Sequence, residues 1–289
     1  MIYQKARKKS VFLASPCFTD LQLDRVFNNI LLDDVPHMEA ACPQETRPAL
    51  RPEDSEDCYR LCWQLLEKGA HIASFRRLVG RIIARGGTDD PDERLDFKYV
   101  RAKFKHIRFA CANLDERHRY PWSVNLATSL MGHMQDAFKN HQKTKTVLWG
   151  SLLWLVLLPP FYKIVQYQLS EFRPATKTSL LEYFRKQNGK IRAALNRQKV
   201  TGHQFHDIRK IISRRIAFND TLRVIHPAEW NDQMSLYLAT INGLMGDMHD
   251  VLVEKKIKGE QDYDKDTFPL PDNILTRLAT LLTLGENGF

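Results

Sequence analysis

The sequence repeats itself, and this repeat restricts the folds that the chain can adopt. Residues 130–136 read Leu-Met-Gly-His-Met-Gln-Asp, and residues 244–250 read Leu-Met-Gly-Asp-Met-His-Asp. The two copies lie about 110 residues apart, whereas the unit of a solenoid has 20–50 residues. The repeat therefore predicts a duplicated half-domain that packs against its own copy.

Hydrophobic side chains recur at helical spacing from Ser55 onward, and no segment shows the alternation and turn spacing of a sheet. The sequence therefore predicts an all-α fold. Gly86 and Gly87 are expected to stop the first helix. The predicted helices cover residues 55–85, 95–117, 123–143, 178–199, 204–225, 227–257 and 272–284, and a short helix ends at Phe172.

Composition and periodicity divide the chain into five segments. The N-terminal segment is predicted to be a poorly structured leader, because its part from Pro36 to Pro52 holds four prolines and several acids without an apolar period. The segments are a leader (1–54), a first helical repeat (55–145), an apolar connector helix (146–174), a second helical repeat (175–258) and a C-terminal loop and helix (259–289).

Residues 147–158 are almost wholly apolar, contain Trp149 and Trp154, and are followed by Pro159 and Pro160. A run of about 10–14 apolar residues is more often a buried helix than a membrane span, which needs about 20. We therefore expect a buried connector between the two repeats. Contact of residues 147–158 with a membrane or granule surface is the alternative.

The cysteines and the N-terminus favour a cytoplasmic protein. Five cysteines are an odd number, and the chain is far longer than a disulfide scaffold, so reduced thiols are expected. The apolar run near the N-terminus is short and is broken by Lys8 and Lys9, so no signal peptide is expected. A cytoplasmic protein of this kind could also associate with a granule, which is the second localisation that we consider.

The net charge of +9 is unevenly spread, since residues 61–289 hold 35 Lys and Arg against 24 Asp and Glu. Excess positive charge on a compact core favours a polyanionic partner such as polyphosphate, nucleic acid or an anionic membrane surface. The charge alone does not select among these partners, and it leaves the oligomeric state open.

The first basic helix separates its charged and apolar side chains. With about 100° per residue, its cations fall within an arc of roughly 80°, and His106 lies beside them. The predicted polyanion-binding residues of this helix are Lys98, Arg101, Lys105, His106 and Arg108. The apolar stripe on the other side consists of Phe104, Ile107, Cys111 and Leu114.

The second basic helix repeats this arrangement with differences. Its predicted polyanion-binding residues are His206, Arg209, Lys210 and Arg214, opposite an apolar stripe of Phe205, Ile208, Ile212 and Leu222. The preceding helix adds Lys186, Lys190 and Arg197 to the predicted site. Arg215 falls inside the apolar stripe, so a carboxylate partner is expected for it, with Asp136 and Asp250 as candidates.

A solvated charged face is the simplest interpretation of any basic helix, but the second one is unusually dense. Residues 185–215 contain ten Lys and Arg and one acid, Asp207. Such a cluster costs stability through repulsion unless an anion offsets it. Arg offers a planar fork to two oxygens and Lys a mobile point charge, so their mixture favours a phosphate polymer over one fixed ligand.

These residues resemble the CHAD domains, the conserved histidine α-helical domains. The segment from His206 to Lys210 matches the family's His-x-x-Arg motif, and Lys105, Arg108 and Phe109 look like its Lys-x-x-Arg-Tyr turn. Residues 132–136 and 246–250 are similar to its Leu-Gly-x-x-Arg-Asp motif, with Gln135 and His249 where the family prefers Arg. Lys98 stands where the first repeat of the family has histidine, and Ser213, Ile216 and Ala217 replace basic and tyrosine positions.

The resemblance covers roughly residues 55–257 and implies a fold and a ligand. It implies two helical bundles related by a pseudo-twofold axis, with a basic groove between or across them. It also implies binding of inorganic polyphosphate. Separately, the sequence offers little evidence of catalytic residues, so no enzymatic activity is expected.

Two other functions use the same residues. A nucleic-acid binder, most simply an RNA binder, would need aromatic side chains interleaved with the cations for base stacking. An enzyme that processes phosphate esters or polyphosphate would need an acidic metal-binding cluster. We expect no cofactor and no metal, because Cys58 with Cys62 and His203 with His206 lack a second ligand pair.

The repeated heptapeptide itself is expected to be structural. Asp136 and Asp250 are interpreted as partners of an arginine such as Arg101 or Arg209 rather than as catalytic carboxylates. A glycine inside a helix costs about 1 kcal/mol. Gly132 and Gly246 are therefore expected to allow the close approach of a neighbouring helix.

Overall fold

A computed structural model describes residues 18–44, 49–51, 53–197 and 199–288. Within these ranges the chain is mostly helical, with one two-stranded sheet, which confirms the all-α prediction. The elements in chain order are α1 Asp20–Leu32, α2 Asp54–Gly69, α3 Ile72–Arg85, α4 Pro91–Leu114, α5 Trp122–Lys139, α6 Lys143–Val156, α7 Pro159–Ser170, α8 Lys177–Asn196, β1 Lys199–Thr201, α9 Gly202–Ile225, α10 Glu229–Lys258, β2 Thr267–Pro269 and α11 Asp272–Gly288.

The helix predicted over residues 55–85 is two helices, α2 and α3, which are separated at Ala70 and His71. The predicted stop at the glycine pair is confirmed. Gly86 has a φ of 69°, and the N–H groups of Gly86 and Gly87 donate to the carbonyls of Ile83 and Ile82, both at 3.0 Å. This is a Schellman cap, which satisfies carbonyls at the helix end.

The two basic helices, α4 and α9, both begin at strong N-terminal caps. The Asp90 side chain accepts from the N–H of Asp92 at 2.9 Å, and Pro91 occupies the first turn of α4. Thr201 and Gln204 form a capping box at the start of α9. These caps fix where each helix begins, and therefore which side chains share a face.

The chain divides into two compact units, each made from two stretches of sequence. The first unit contains the described residues up to Phe27 together with residues 55–174, and the second contains residues 28–54 and those from Ala175 onward. Helices α6 and α7 belong to the first unit, where α6 packs on α3 and α5. The prediction of a separate connector over residues 146–174 is therefore corrected.

The prediction of a poorly structured leader is wrong for much of the part that the structure describes. Residues 20–32 form α1, and the residues after it are bound to α10. The backbone N–H of His37 donates to Thr240 Oγ1 at 3.0 Å, and Asn242 Nδ2 donates to Asp34 Oδ1 at 2.7 Å. Residues 1–17, 45–48 and 52 of the predicted leader lie outside the described residues.

Each unit has its own hydrophobic core. In the first, Phe97 packs edge-on against Phe138 with ring centroids 5.3 Å apart, and Met131 is buried nearby in α5. In the second, the apolar stripe of α9 packs with side chains of α10 and α11, including Met245 and Leu278. Both stripes predicted opposite the cations are buried, so the charged faces of α4 and α9 are oriented by core packing.

The small sheet was not predicted. β1 and β2 pair antiparallel with Val200 opposite Phe268. Each strand has three residues, which is too short for the period-two alternation on which strand prediction relies.

Across the described residues, no individual helix combines the length and the apolar content that a membrane crossing requires. Helices α6 and α7 reach that content only as a pair, and their axes differ by 69° at the break between them.

Candidate anion-binding surface

Four cations form a row along α4 in the first unit. Lys98 is exposed, and Arg101, Lys105 and Arg108 are half-buried on the same face. With a rise of 1.5 Å per residue, the row is about 15 Å long. We call these four residues the first row.

Arg101 lies across the repeated heptapeptide of its own unit. Its Nη1 donates to Gln135 Oε1 at 3.0 Å, and a β-carbon at Gly132 would lie 3.3 Å from its Nη2. The close approach expected at Gly132 is therefore made by an arginine side chain of the neighbouring helix. Glycine leaves room for the flat guanidinium against α5.

Neutral groups also hold the far end of the first row. Arg108 Nη1 donates to Thr128 Oγ1 at 3.1 Å and to Asn125 Oδ1 at 3.3 Å. The guanidinium lies 4.7 Å from the ring centroid of Tyr120, and Lys105 Nζ lies 5.6 Å from that of Phe109. Contacts of this kind orient a cation without cancelling its charge.

His106 is not part of this surface, which corrects its prediction as a binding residue. Its side chain is 3 % exposed, because it turns towards the core with Ile107. Burial, and then the charge of Lys105, lower its pKa from 6.5 to about 3. His106 is therefore a neutral core residue at pH 7.

The second unit contains the same arginine–glycine contact. Arg209 on α9 lies over Gly246, where a β-carbon would lie 3.0 Å from Arg209 Nη2. Arg101 and Arg209 occupy matching positions of the repeat, as do Gly132 and Gly246. We call His206, Arg209, Lys210 and Arg214 the second row; all four are half-buried on α9.

Arg209 also has an acidic partner, Asp34, which the sequence did not predict. Asp34 Oδ1 lies 3.6 Å from Arg209 Nη2. Asp34 is held there because its carbonyl oxygen lies 2.7 Å from where a β-carbon of Gly243 would be, and because Asn242 donates to its side chain. The available signal was the acidic pair Asp33 and Asp34, in a stretch that its prolines made look unstructured.

His206 is neutral at pH 7. Burial contributes most to lowering its pKa from 6.5 to about 4, followed by the charges of Lys210, His249 and Arg209, whereas Asp207 opposes the shift. Its ring lies 5.4 Å from that of His249. Lys210 Nζ forms an ion pair with Asp207 Oδ1 at 3.2 Å, so the second row is partly neutralised at two positions.

The cations predicted on the preceding helix are exposed but face elsewhere. Lys186, Lys190 and Arg197 project from the outer side of α8. The opposite side of α8 contacts α9, because Phe184 and Asn188 receive the side chain of Arg215. The structure therefore does not bring the α8 cations together with the second row.

The predicted carboxylate partners are corrected as well. Arg215 is buried and donates to Asn188 Oδ1, and burial lowers its pKa to about 10. Asp136 and Asp250 are exposed. The heptapeptides contribute their glycines to Arg101 and Arg209, and the first contributes Gln135 to Arg101 as well.

A cavity lined by aromatic residues lies beside the Arg108 end of the first row. Its volume is about 390 Å³, and it is lined in part by Tyr120, Trp122, Tyr167 and Arg119. Trp122 is 60 % exposed and Tyr167 62 % exposed, so flat apolar rings face solvent here. Tyr120 joins the cavity to the row through its contact with Arg108.

In the described ranges there is no group of three or more His, Cys, Asp or Glu side chains that could hold a metal ion. Cys42, Cys58, Cys62 and Cys111 are buried free thiols, and Cys17 lies outside those ranges. Comparisons with family models, curated proteins and solved structures gave no match for the chain.

Proposed function

We propose that this protein binds inorganic polyphosphate through the first row. The observation that carries the proposal is the unbroken series Lys98, Arg101, Lys105 and Arg108, in which the two arginines are oriented by the amide, hydroxyl and aromatic groups described above. A ligand with charge repeated along its length can contact all four side chains at once. Binding then releases counterions from the ligand, which supplies much of the affinity.

The chemistry of the four side chains suits a flexible phosphate chain. Arg101 and Arg108 are fixed by neighbours on α5, so they present preformed forks for phosphate oxygens. Lys98 and Lys105 supply mobile charges that adjust to the register of the ligand. A row of roughly 15 Å spans several successive phosphates rather than one.

We further propose that the two units descend from one half-domain of the CHAD type. The support is the arginine–glycine contact between a basic helix and a repeated heptapeptide, which is present once in each unit. Such an origin agrees with polyphosphate as ligand and with a cytoplasmic or granule-associated protein. The pseudo-twofold arrangement of the copies stays a prediction.

Single-stranded RNA is the second candidate ligand, and one observation favours it. The cavity with Trp122, Tyr167 and Tyr120 adjoins the Arg108 end of the first row. Nucleobases stack on exposed aromatic rings, and each stacked base contributes roughly 1–3 kcal/mol. Polyphosphate has no bases and would leave this cavity unused.

The test measures binding of fluorescently labelled long-chain polyphosphate across a range of salt concentrations. The logarithm of the affinity should fall linearly with the logarithm of salt, with a slope set by the number of contacts. Unlabelled polyphosphate should compete better than single-stranded RNA, DNA or pyrophosphate at fixed ionic strength. Stronger competition by RNA, weakened by a Trp122→Ala substitution, would select the second candidate, and salt-independent binding would contradict both.

A further inference from the structure

Helices α6 and α7 expose a large apolar surface in the first unit. From Val147 to Leu155, α6 presents large apolar side chains to solvent, and α7, which contacts α6, exposes three more. The exposed residues are Val147, Leu148, Leu152, Trp154, Leu155, Phe161, Ile164 and Tyr167. Contiguous exposed apolar patches on soluble proteins mark sites of interaction.

The expectation that residues 147–158 form a buried helix holds for one side of α6 only. Thr146, Gly150 and Leu153 are buried, and a β-carbon at Gly150 would lie 2.7 Å from Ile83. The opposite side carries the exposed apolar residues. Since packing within the unit already uses the buried side, the exposed side needs another explanation.

Positive charge borders this apolar surface. Residues 143–170 contain no Asp or Glu, and their charged side chains are Lys143, Lys145 and Lys163. All three lysines are exposed. The guanidinium of Arg76 on α3 lies 5.4 Å from the ring centroid of Trp154. Apolar side chains bordered by cations fit a surface that offers hydrocarbon and negative headgroups together.

We propose that the α6–α7 surface docks on an anionic lipid bilayer, with both helices lying in the headgroup region. The two helices have 14 and 12 residues and diverge by 69°, so they suit a shallow position at the bilayer surface better than a straight span of the bilayer. Trp154 and Tyr167 have the amphipathic rings that favour the membrane interface. The lysines reach phosphate groups while their stems stay on apolar surface.

A second copy of the chain fits this surface less well than a bilayer does. Two copies that met through the same patch would bring Lys143, Lys145, Lys163 and Arg76 of each chain close to one another. Like charges brought together destabilise such an interface, whereas anionic lipid neutralises them. This inference does not depend on polyphosphate binding, so the two proposals can fail separately.

The test is co-sedimentation of the full chain with lipid vesicles in the absence of polyphosphate. The vesicles consist of phosphatidylcholine with about 30 % phosphatidylserine, which gives them a negative surface potential. The variant Leu152→Glu/Leu155→Glu places two acids on the proposed contact. The control Leu236→Glu/Val251→Glu places them on α10 of the second unit. The pairs are matched, because Leu152 and Leu236 are 41 % and 40 % exposed, and Leu155 and Val251 are 47 % and 50 % exposed.

We expect the wild-type chain and the control to bind these vesicles and the Leu152→Glu/Leu155→Glu variant to lose at least about tenfold in apparent affinity. Added salt should weaken wild-type binding. Brominated lipids should quench tryptophan fluorescence of the wild type more than that of Trp154→Phe. Full binding by the variant would overturn the proposal. The proposal would also be overturned if the wild type formed a dimer that does not bind vesicles and the Leu152→Glu/Leu155→Glu variant were monomeric. The apolar surface would then join two copies of the chain.

Discussion

The two repeats share one contact and differ in what surrounds it. In both units an arginine of the basic helix lies over the glycine of the heptapeptide, as Arg101 over Gly132 and Arg209 over Gly246. In the first unit, Arg101 lies in a row with Lys105 and Arg108 on α4. At the positions matching these two residues, the second unit has Ser213, which donates to Asn242 Oδ1, and buried Ile216.

The second difference concerns the carboxylate partner of Arg209. Arg209 already has a carboxylate, Asp34, held by α10 through Asn242. Arg101 donates instead to the amide oxygen of Gln135 in the heptapeptide. The same arginine–glycine contact is therefore made in both units, while the groups around the arginine differ. In the second unit, Arg209 is paired with a residue of the same unit.

The largest expected effect contrasts two sets of three cations. The variant Lys98→Gln/Arg101→Gln/Lys105→Gln should weaken polyphosphate binding at least about 30-fold at 0.1 M salt and reduce the salt slope by about three, since three phosphate contacts are lost. Lys186→Gln/Lys190→Gln/Arg197→Gln removes the same charge from α8 and should cost less than about threefold.

Titration of labelled polyphosphate measures both effects, and circular dichroism checks that each variant is folded. Equal losses in the two variants would show that net charge, rather than the first row, determines affinity. The contrast between the repeats would then have no bearing on binding.

A smaller effect is expected when Arg209 loses its internal partner. Asp34→Asn keeps the hydrogen bond from Asn242 and removes the negative charge 3.6 Å from Arg209. The affinity of the second row for polyphosphate should rise about threefold and its salt slope should steepen by about one, because one more of its cations becomes available. Glu260→Gln, the loss of an exposed acid at the end of α10, is the control. A gain of the same size in the control would mean that Asp34 does not mask Arg209.

The smallest effect at neutral pH concerns His206, which matches Lys98 of the first repeat. Because the pKa of free His206 is about 4, it is neutral at pH 7, and His206→Gln should change affinity less than about twofold there. A polyanion bound at the second row would raise this pKa, so the affinity of that row should increase as pH falls through the bound-state value and level off below about 4. Binding measured from pH 7 to pH 4, with His206→Gln as the flat reference, checks this.

Folding stability should respond to the same group in the opposite sense. The folded pKa of His206 lies below its ordinary value of 6.5, so the unfolded chain takes up more protons between about pH 6.5 and 4. The free energy of unfolding should therefore fall as pH drops through that window, less so in His206→Gln. An affinity that is independent of pH in the wild type would exclude His206 from the binding surface.

The helices that carry the cations could be predicted from the sequence, because amphipathic spacing and caps are local signals. Phe104 and Ile212 mark buried faces, and Gly86 marks a helix end, each within a few residues of the feature that it determines. The cations of α4 and α9 followed from the same geometry. His106 did not, because its angular position lies at the boundary between the exposed and buried faces.

The features that escaped prediction depend on contacts between distant parts of the sequence. Asp34 contacts Arg209 because it packs on Gly243 and Asn242, and no local sequence pattern predicts this ion pair. The hydrogen bond from Arg215 to Asn188, 27 positions earlier in the sequence, escaped prediction for the same reason. The exposed apolar side of α6 was not predicted, because hydrophobicity alone does not distinguish a residue that faces the core from one that faces solvent.

The attachment of residues 33–37 to α10 has a consequence for synthesis of the chain. The backbone N–H of His37 donates to Thr240 Oγ1, and these two residues lie 203 positions apart in the sequence. At 5–20 residues per second, the ribosome needs roughly 10–40 s to make the second partner after the first. During this interval the early segment has no α10 to bind, and the whole first unit can be completed. The second unit is therefore expected to be the later one to mature, when its last helices meet residues 33–37, which are synthesised before residues 55–174 of the first unit.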